Sequence, residues 1–215
     1  MKIAFFSESV ADESALKILV SGILEEEIED TNLPNNLIYR SCTHLDRDLP
    51  AVISAVYYNS NAEALVVASD SDDTPVHINE HENKENEKCR LCKLRKTIEK
   101  SLSKLQAFEG KDLLKVAIGV PVPAIEAWYL FGINPQVSSN YWFRFQNGEK
   151  IRYDRKKLKE QVYGTTRPSL ELETKRAVEE TIRIVENELL EGLEINFPQG
   201  FGKMADEIRL WKNEE

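Results

Sequence analysis

Apolar positions recur along this chain with two alternating periods. Ile3-Ala4-Phe5-Phe6 is a continuous apolar run suited to a buried strand. From Ala11 onward Ala15, Leu16, Leu19, Val20, Ile23, Leu24 and Ile28 repeat at helical spacing, with Ser9 and Asp12 forming an S-x-x-D start signal. A second strand is predicted over Asn36 to Cys42, a helix from about Leu49 to Tyr58, and a third strand at Ala64-Leu65-Val66-Val67-Ala68. That last run is apolar without alternation, as expected of a strand covered on both faces. Asp70 to Lys88 is polar and lacks periodicity apart from Val76 and Ile78. A helix from about Leu91 to Phe108, a fourth strand at Leu113 to Val120 and a Pro-bounded helix from Ala124 to Phe131 follow. After Pro168 a long helix is predicted with Leu172, Val178, Ile182, Val185 and Leu189 on one face and Gly192 near its end, and a closing helix runs through Trp211.

Alternating strands and helices with short connections predict an α/β fold, a mostly parallel sheet with helices on both faces. We expect an α/β core over residues 1–135, carrying a small insertion at 76–93, and a C-terminal basic and aromatic segment with helices over 136–215 packed on that core. The length, 215 residues, and 41% hydrophobic content suit one or two globular domains and exclude a collagen-like or wholly disordered chain. The N-terminal apolar run is too short for a signal-peptide core, and no stretch reaches the ~18 apolar residues of a membrane span, so a soluble cytoplasmic protein with no membrane partner is expected.

The polar residues that leave strand ends carry the first candidate chemistry, because ligands in parallel sheets bind outside the carboxyl ends of the strands. The first strand runs into Ser7-Glu8 and the third into Ser69-Asp70-Ser71-Asp72-Asp73. If these strands are neighbours, Glu8, Asp70 and Asp72 converge, and carboxylates in a cleft need a proton or a cation. Oxygen ligands of this kind suit Mg²⁺ or Mn²⁺. The same residues also read as a capping box and an ordinary Asp-Ser-Asp-Asp-Thr-Pro loop.

Phe5-Phe6-Ser7-Glu8-Ser9-Val10-Ala11-Asp12-Glu13 and Leu65-Val66-Val67-Ala68-Ser69-Asp70-Ser71-Asp72-Asp73 resemble the two motifs of the Toprim domain of primases, type IA and type II topoisomerases, OLD-family nucleases and recombination proteins. The resemblance covers roughly the first 130 residues, and Ser9 stands where many members have Gly. Val120 to Leu130, with Glu126-Ala127-Trp128, is similar to a Glu-x-Trp helix start in small stand-alone bacterial Toprim-like proteins, and Phe197 to Phe201 is similar to their C-terminal ends. The resemblance implies a Toprim-like sheet, Glu8 as general acid/base in phosphoryl transfer, and Asp70 and Asp72 on a catalytic divalent ion. Glu126 is then a further site acid, or else a carboxylate favoured by its helix N-terminus. A role in prokaryotic defence or mobile elements follows at the level of the family alone.

His77-x₃-His81-x₇-Cys89-x₂-Cys92 places four zinc-type ligands within sixteen residues, in a segment too poor in apolar residues to bury a core. Structural zinc would supply the missing folding energy. A redox dithiol, a solvated charged loop, and recruitment of His77 to the catalytic ion are the alternatives, and Cys42 is expected to be a free buried thiol.

The formal charge of −9 argues against coating nucleic acid by net charge alone, but it is unevenly spread. Lys88 to Lys115 carries nine Lys/Arg against three acids, and Arg144 to Lys159 seven against two, interleaved with Tyr141, Trp142, Phe143, Phe145 and Tyr153. Arg144, Lys150, Arg152, Arg155, Lys156 and Lys157 are candidate phosphate contacts beside aromatics able to stack on bases, against a solvated helix face as the plain alternative. The expectation is a metal-dependent nuclease or related phosphotransferase acting on nucleic acid, with an ATPase or other protein as a possible partner. The alternative is a catalytically silent, zinc-stabilised Toprim-like adaptor.

Overall fold

The computed structural model describes residues 1–31, 33, 45–72, 74–108, 110–142, 145–146, 149–150 and 155–214. Four strands, β1 (Lys2–Phe6), β2 (Glu29–Asp30), β3 (Ala64–Ala68) and β4 (Lys115–Gly119), form one parallel sheet in the order β2-β1-β3-β4. β1 lies beside β3, with Ile3 opposite Ala64 and Phe6 opposite Val67, so their carboxyl ends finish level. The second strand described here is the short Glu29–Asp30 pairing; the predicted strand over Asn36 to Cys42, Cys42 with it, lies outside the described residues.

The uninterrupted apolar runs are explained by two separate cores, one on each sheet face. Ile3, Phe5, Ala64, Val66, Ala68 and Ala117 face one core. Ala4, Phe6, Leu65, Val67 and Ile118 face the other. The second core is closed by α2 (Leu45–Asn59) and α4 (Arg90–Leu102), which contribute Leu49, Val52, Ile53, Val56, Leu91, Leu94 and Ile98.

On the first face α1 (Val10–Leu24) buries the predicted stripe Ala15, Leu16, Leu19, Val20, Ile23 and Leu24. Its start is set by Ser9, whose Oγ accepts from Asp12 N at 3.2 Å. Between α2 and α4 sits the single turn α3 (Glu80–Asn83), and after β4 comes α5 (Glu126–Ile133), buried over nearly its whole length. The short elements α6 (Ser139–Trp142), β5 (Phe145–Gln146) and β6 (Glu149–Lys150) precede α7 (Arg155–Tyr163), α8 (Leu170–Glu186), α9 (Leu190–Asn196), a π-helical turn at Pro198–Gly202 and α10 (Lys203–Leu210).

The predicted long helix is corrected in two respects. It stops at Glu186, with Glu188 in a left-handed conformation, and Gly192 belongs to the separate α9. Its buried face is Ala177, Glu180, Thr181 and Ile184, whereas Ile182 is 39% exposed. Small and hydroxylated side chains face inward because α8 lies close against α5: a Cβ on Gly132 would come within 2.7 Å of the Glu180 carbonyl oxygen.

β4 is an edge strand, and its exposed backbone is covered from α10. Glu207 Oε2 accepts from Ile118 N at 2.9 Å, and Lys115 Nζ donates to the Trp211 carbonyl at 3.2 Å. Among the described residues no helix is long and apolar enough to cross a membrane.

Candidate functional site

The level carboxyl ends of β1 and β3 bring Glu8 and Asp70 into contact. Glu8 Oε1 accepts from Ser69 Oγ and from Asp70 N, both at 3.0 Å. Asp70 is 5% exposed; its Oδ1 accepts from Ile125 N at 2.9 Å, which ties it to the approach to α5, and its Oδ2 meets Arg155 at 2.5 Å. Asp72 pairs with the same guanidinium at 2.8 Å and with Arg90 at 3.6 Å. The loop is held against the β4 exit by Ser71 N and Asp72 N, which donate to the carbonyls of Pro121 and Pro123 at 2.9 and 3.0 Å. Asp72 itself has φ 47°, a left-handed conformation that Asp tolerates better than most residues.

Glu126, the first residue of α5, is 4% exposed and faces this group. One oxygen lies 3.5 Å from Lys159 Nζ on α7, and the other, Oε2, is buried with no hydrogen-bond partner. Asp12, one helical turn beyond Glu8, accepts from Tyr129 Oη at 3.2 Å.

Electrostatics tie these acids into one unit. Burial, the Glu8 and Glu126 charges and, more weakly, Asp12 push Asp70 well above the carboxylate range, against the lowering pull of Arg155. Burial and Glu126 raise Asp12 to about 7. Burial raises Glu8 too, against its hydrogen bonds from Ser69 and Asp70 N. Tyr129 and Tyr163 are pushed up by burial and by the surrounding acids. The group carries more buried negative charge than Arg155 and Lys159 offset, so it favours protons or an added cation.

The insertion gathers a second constellation. Ligand atoms of His77, His81, Cys89 and Cys92 all lie within 4.8 Å of one another, with His77, Cys89 and Cys92 buried. His77 Nδ1 is 3.6 Å from each sulfur. Zn–S and Zn–N bonds of about 2.3 and 2.0 Å at tetrahedral angles require S···N separations of roughly 3.5 Å. His77 Nε2 is 2.8 Å from Glu82 Oε1, the carboxylate–histidine support that fixes a ligating ring. His81 Nδ1 is buried without a partner, while its Nε2 contacts the Asn86 side chain at 3.2 Å. The quartet could therefore hold a metal such as zinc. Glu82 also meets Lys203 of α10 and Arg95 of α4, and Lys203 first, then His77 and Arg95, hold its carboxyl down at about 2. Gln199 reaches Asn79 at 3.0 Å, so the C-terminal layer braces the insertion. Among the described residues this is the one set of three or more such side chains gathered closely enough to hold an ion.

Of the predicted phosphate contacts, Arg155, Lys156 and Lys157 lie together on α7. Arg155 sits on the acids, and Lys156 and Lys157 are exposed on α7. Lys150 is on β6, and Arg144 and Arg152 lie outside the described residues. Asp12, Tyr129, Lys159 and Arg90 join the acid cluster without having been named as site residues from the sequence. Only Asp12 left a signal there, one turn after Glu8 on the helix that the S-x-x-D start predicts. No family model, no curated protein and no solved structure matches the chain.

Proposed function

We propose that the acid cluster is the active site of a Toprim-like, Mg²⁺- or Mn²⁺-dependent nuclease or related phosphotransferase acting on nucleic acid. The observation that carries this reading is the packing of Glu8 and Asp70, both raised in pKa, at the carboxyl ends of β1 and β3, with the buried Glu126 beside them and its Oε2 unpartnered. The donor set is all carboxylate oxygen, which suits a hard divalent ion. Asp70 and Asp72 would hold it, with Arg155 turning away to free the two oxygens it now pairs. The chemistry such an ion supplies is charge stabilisation at a phosphodiester. Glu8, raised above its ordinary value by burial and fixed by Ser69 and Asp70 N, is placed to hold and release a proton.

The test is cleavage of single- and double-stranded DNA and RNA with Mn²⁺, alone and with extract-derived partner proteins. Wild type should cut, and Asp70→Asn should lose at least ~100-fold in rate, within the range for removing one electrostatic contributor to the transition state. Absence of cleavage on every substrate, or full activity in Asp70→Asn, rules the reading out.

A second reading has its own support: a zinc-stabilised adaptor with a silent Toprim-like core. The Arg155 guanidinium already neutralises Asp70 and Asp72, whereas the His/Cys quartet is preorganised. This reading expects one zinc per chain and no Mn²⁺ uptake in calorimetry; Mn²⁺ binding that disappears in Asp70→Asn argues against it.

A further inference from the structure

The pairing of α2 with α4 leaves a groove of about 590 Å³ on the sheet face opposite α1. Arg47, Lys96, Lys100 and Lys104 rim it, and Ser54, Thr97 and Ser101 bring hydroxyls to it. No acid lines it. Two nearby acids are engaged at the surface, Asp48 with Arg47 at 3.0 Å and Glu85 with Lys96 at 3.5 Å. Tyr58 also lines the groove, 40% exposed, its hydroxyl fixed by Gln106 N at 2.7 Å.

The cations do not stop at the groove. Arg90, Lys93, Lys96 and Lys100 recur every three or four residues, a spacing that keeps them along one side of α4, and Lys104 follows in the turn just after its end. Glu99, the only acid in α4, falls about 60° round the helix from Lys96 and about 120° from Lys93, at the margin of the row. From Arg90 to Lys100 this row is roughly 15 Å long at 1.5 Å per residue. Its first member, Arg90, is the residue that contacts Asp72 in the acid cluster.

We propose that this groove and the α4 row bind the phosphodiester backbone of a single nucleic-acid strand and lead it to the acid cluster, with Tyr58 as a stacking platform for a base. A row of cations one helical turn apart fits a repeating polyanion rather than one small anion, and cationic grooves with an aromatic are how single strands are held without reading sequence. The inference rests on the nucleic-acid reading above and moves the contact surface from residues 144–157 to α2 and α4.

The experiment is anisotropy of a labelled single-stranded oligonucleotide with the full, zinc-replete chain, without added Mg²⁺ or Mn²⁺, across a salt series. Lys100→Glu/Lys104→Glu should weaken binding by about tenfold or more and flatten the log K against log salt slope by about 1.4, two phosphate contacts at ~0.7 each. Lys100→Gln/Lys104→Gln should fall between, and Lys175→Glu/Arg176→Glu on α8 should bind as wild type. Circular dichroism and zinc content certify the fold of each variant. Unchanged affinity and slope in the Lys100/Lys104 variants, an equal loss in the α8 control, or tripolyphosphate competing as well as the strand overturns the proposal. A wild type that binds but never cleaves counts against the nuclease alone; cleavage with binding indifferent to Lys100 and Lys104 counts against the track alone.

Discussion

Asp12 shows how a residue chosen by one local rule acquires a second role. In the sequence it completes the start of α1, and its backbone N–H does donate to Ser9. Its carboxyl, packed near Glu126 and hydrogen-bonded to Tyr129, is raised from the ordinary value near 3.8 to about 7, chiefly by burial. A carboxyl raised in the folded state favours folding while it is protonated, and that stability is lost as pH rises from about 4 through 7. Glu8 and Asp70 act in the same direction. Urea unfolding between pH 4.5 and 7.5 should therefore show stability falling with pH across this window, and Asp12→Asn should flatten the fall. A variant with the same pH dependence as wild type would show that Asp12 is not titrating there.

At the scale of elements, the insertion is the part least able to hold itself. α3 is one turn with no buried residue, and Cys89, the residue before α4, makes no side-chain capping hydrogen bond. Burial raises the Cys89 thiol, against the lowering effect of the Cys92 and Leu91 N–H groups, so the apo site resists forming thiolate until a cation arrives. Purified protein should contain about one zinc per chain by elemental analysis. Cys89→Ser or chelation should lower the unfolding temperature by several degrees, since a ligand bound only to the native state stabilises it by mass action. Zinc-free protein with unchanged melting would sink the structural role. The π-helical turn is a second element decided by contact: a Cβ on Gly200 would sit 2.4 Å from the Val120 carbonyl oxygen, so only glycine lets this turn close on the β4 exit.

Over the whole molecule, the core on the α1 side runs from Ile3 through Trp128 and Ile184 to Phe201 and Trp211, so the C-terminal helices and the sheet share it. Phe201 is fully buried and meets Trp128 edge-on at 5.2 Å between centroids. Phe201→Ala should cost about 3–5 kcal/mol, and in zinc-replete protein the whole chain should still melt in one transition. A separate early transition confined to the C-terminal third would refute the shared core.

Strand identity at residues 3–6, 64–68 and 115–119, the α1 stripe, and the ligand set of the insertion were legible because each depends on local periodicity or spacing. The register of α8 was legible only in part: Leu172 and Leu189 pack against the core, but close approach to α5 puts Ala177 and Thr181 at the centre of the buried face and leaves Ile182 exposed. Arg155 was likewise misplaced: from sequence it is one cation in a basic run, and only the docking of α7 sets it on Asp70 and Asp72. The cation row of α4 was present in the sequence as net charge, but a groove needs the second wall that α2 provides. By itself, then, the sequence determined what neighbouring residues decide: strand and helix periods, the S-x-x-D start, and the spacing of His77, His81, Cys89 and Cys92. The tertiary structure alone decided which distant charges share a low-dielectric space, because electrostatic coupling depends on separation and burial, and neither is written in residue order.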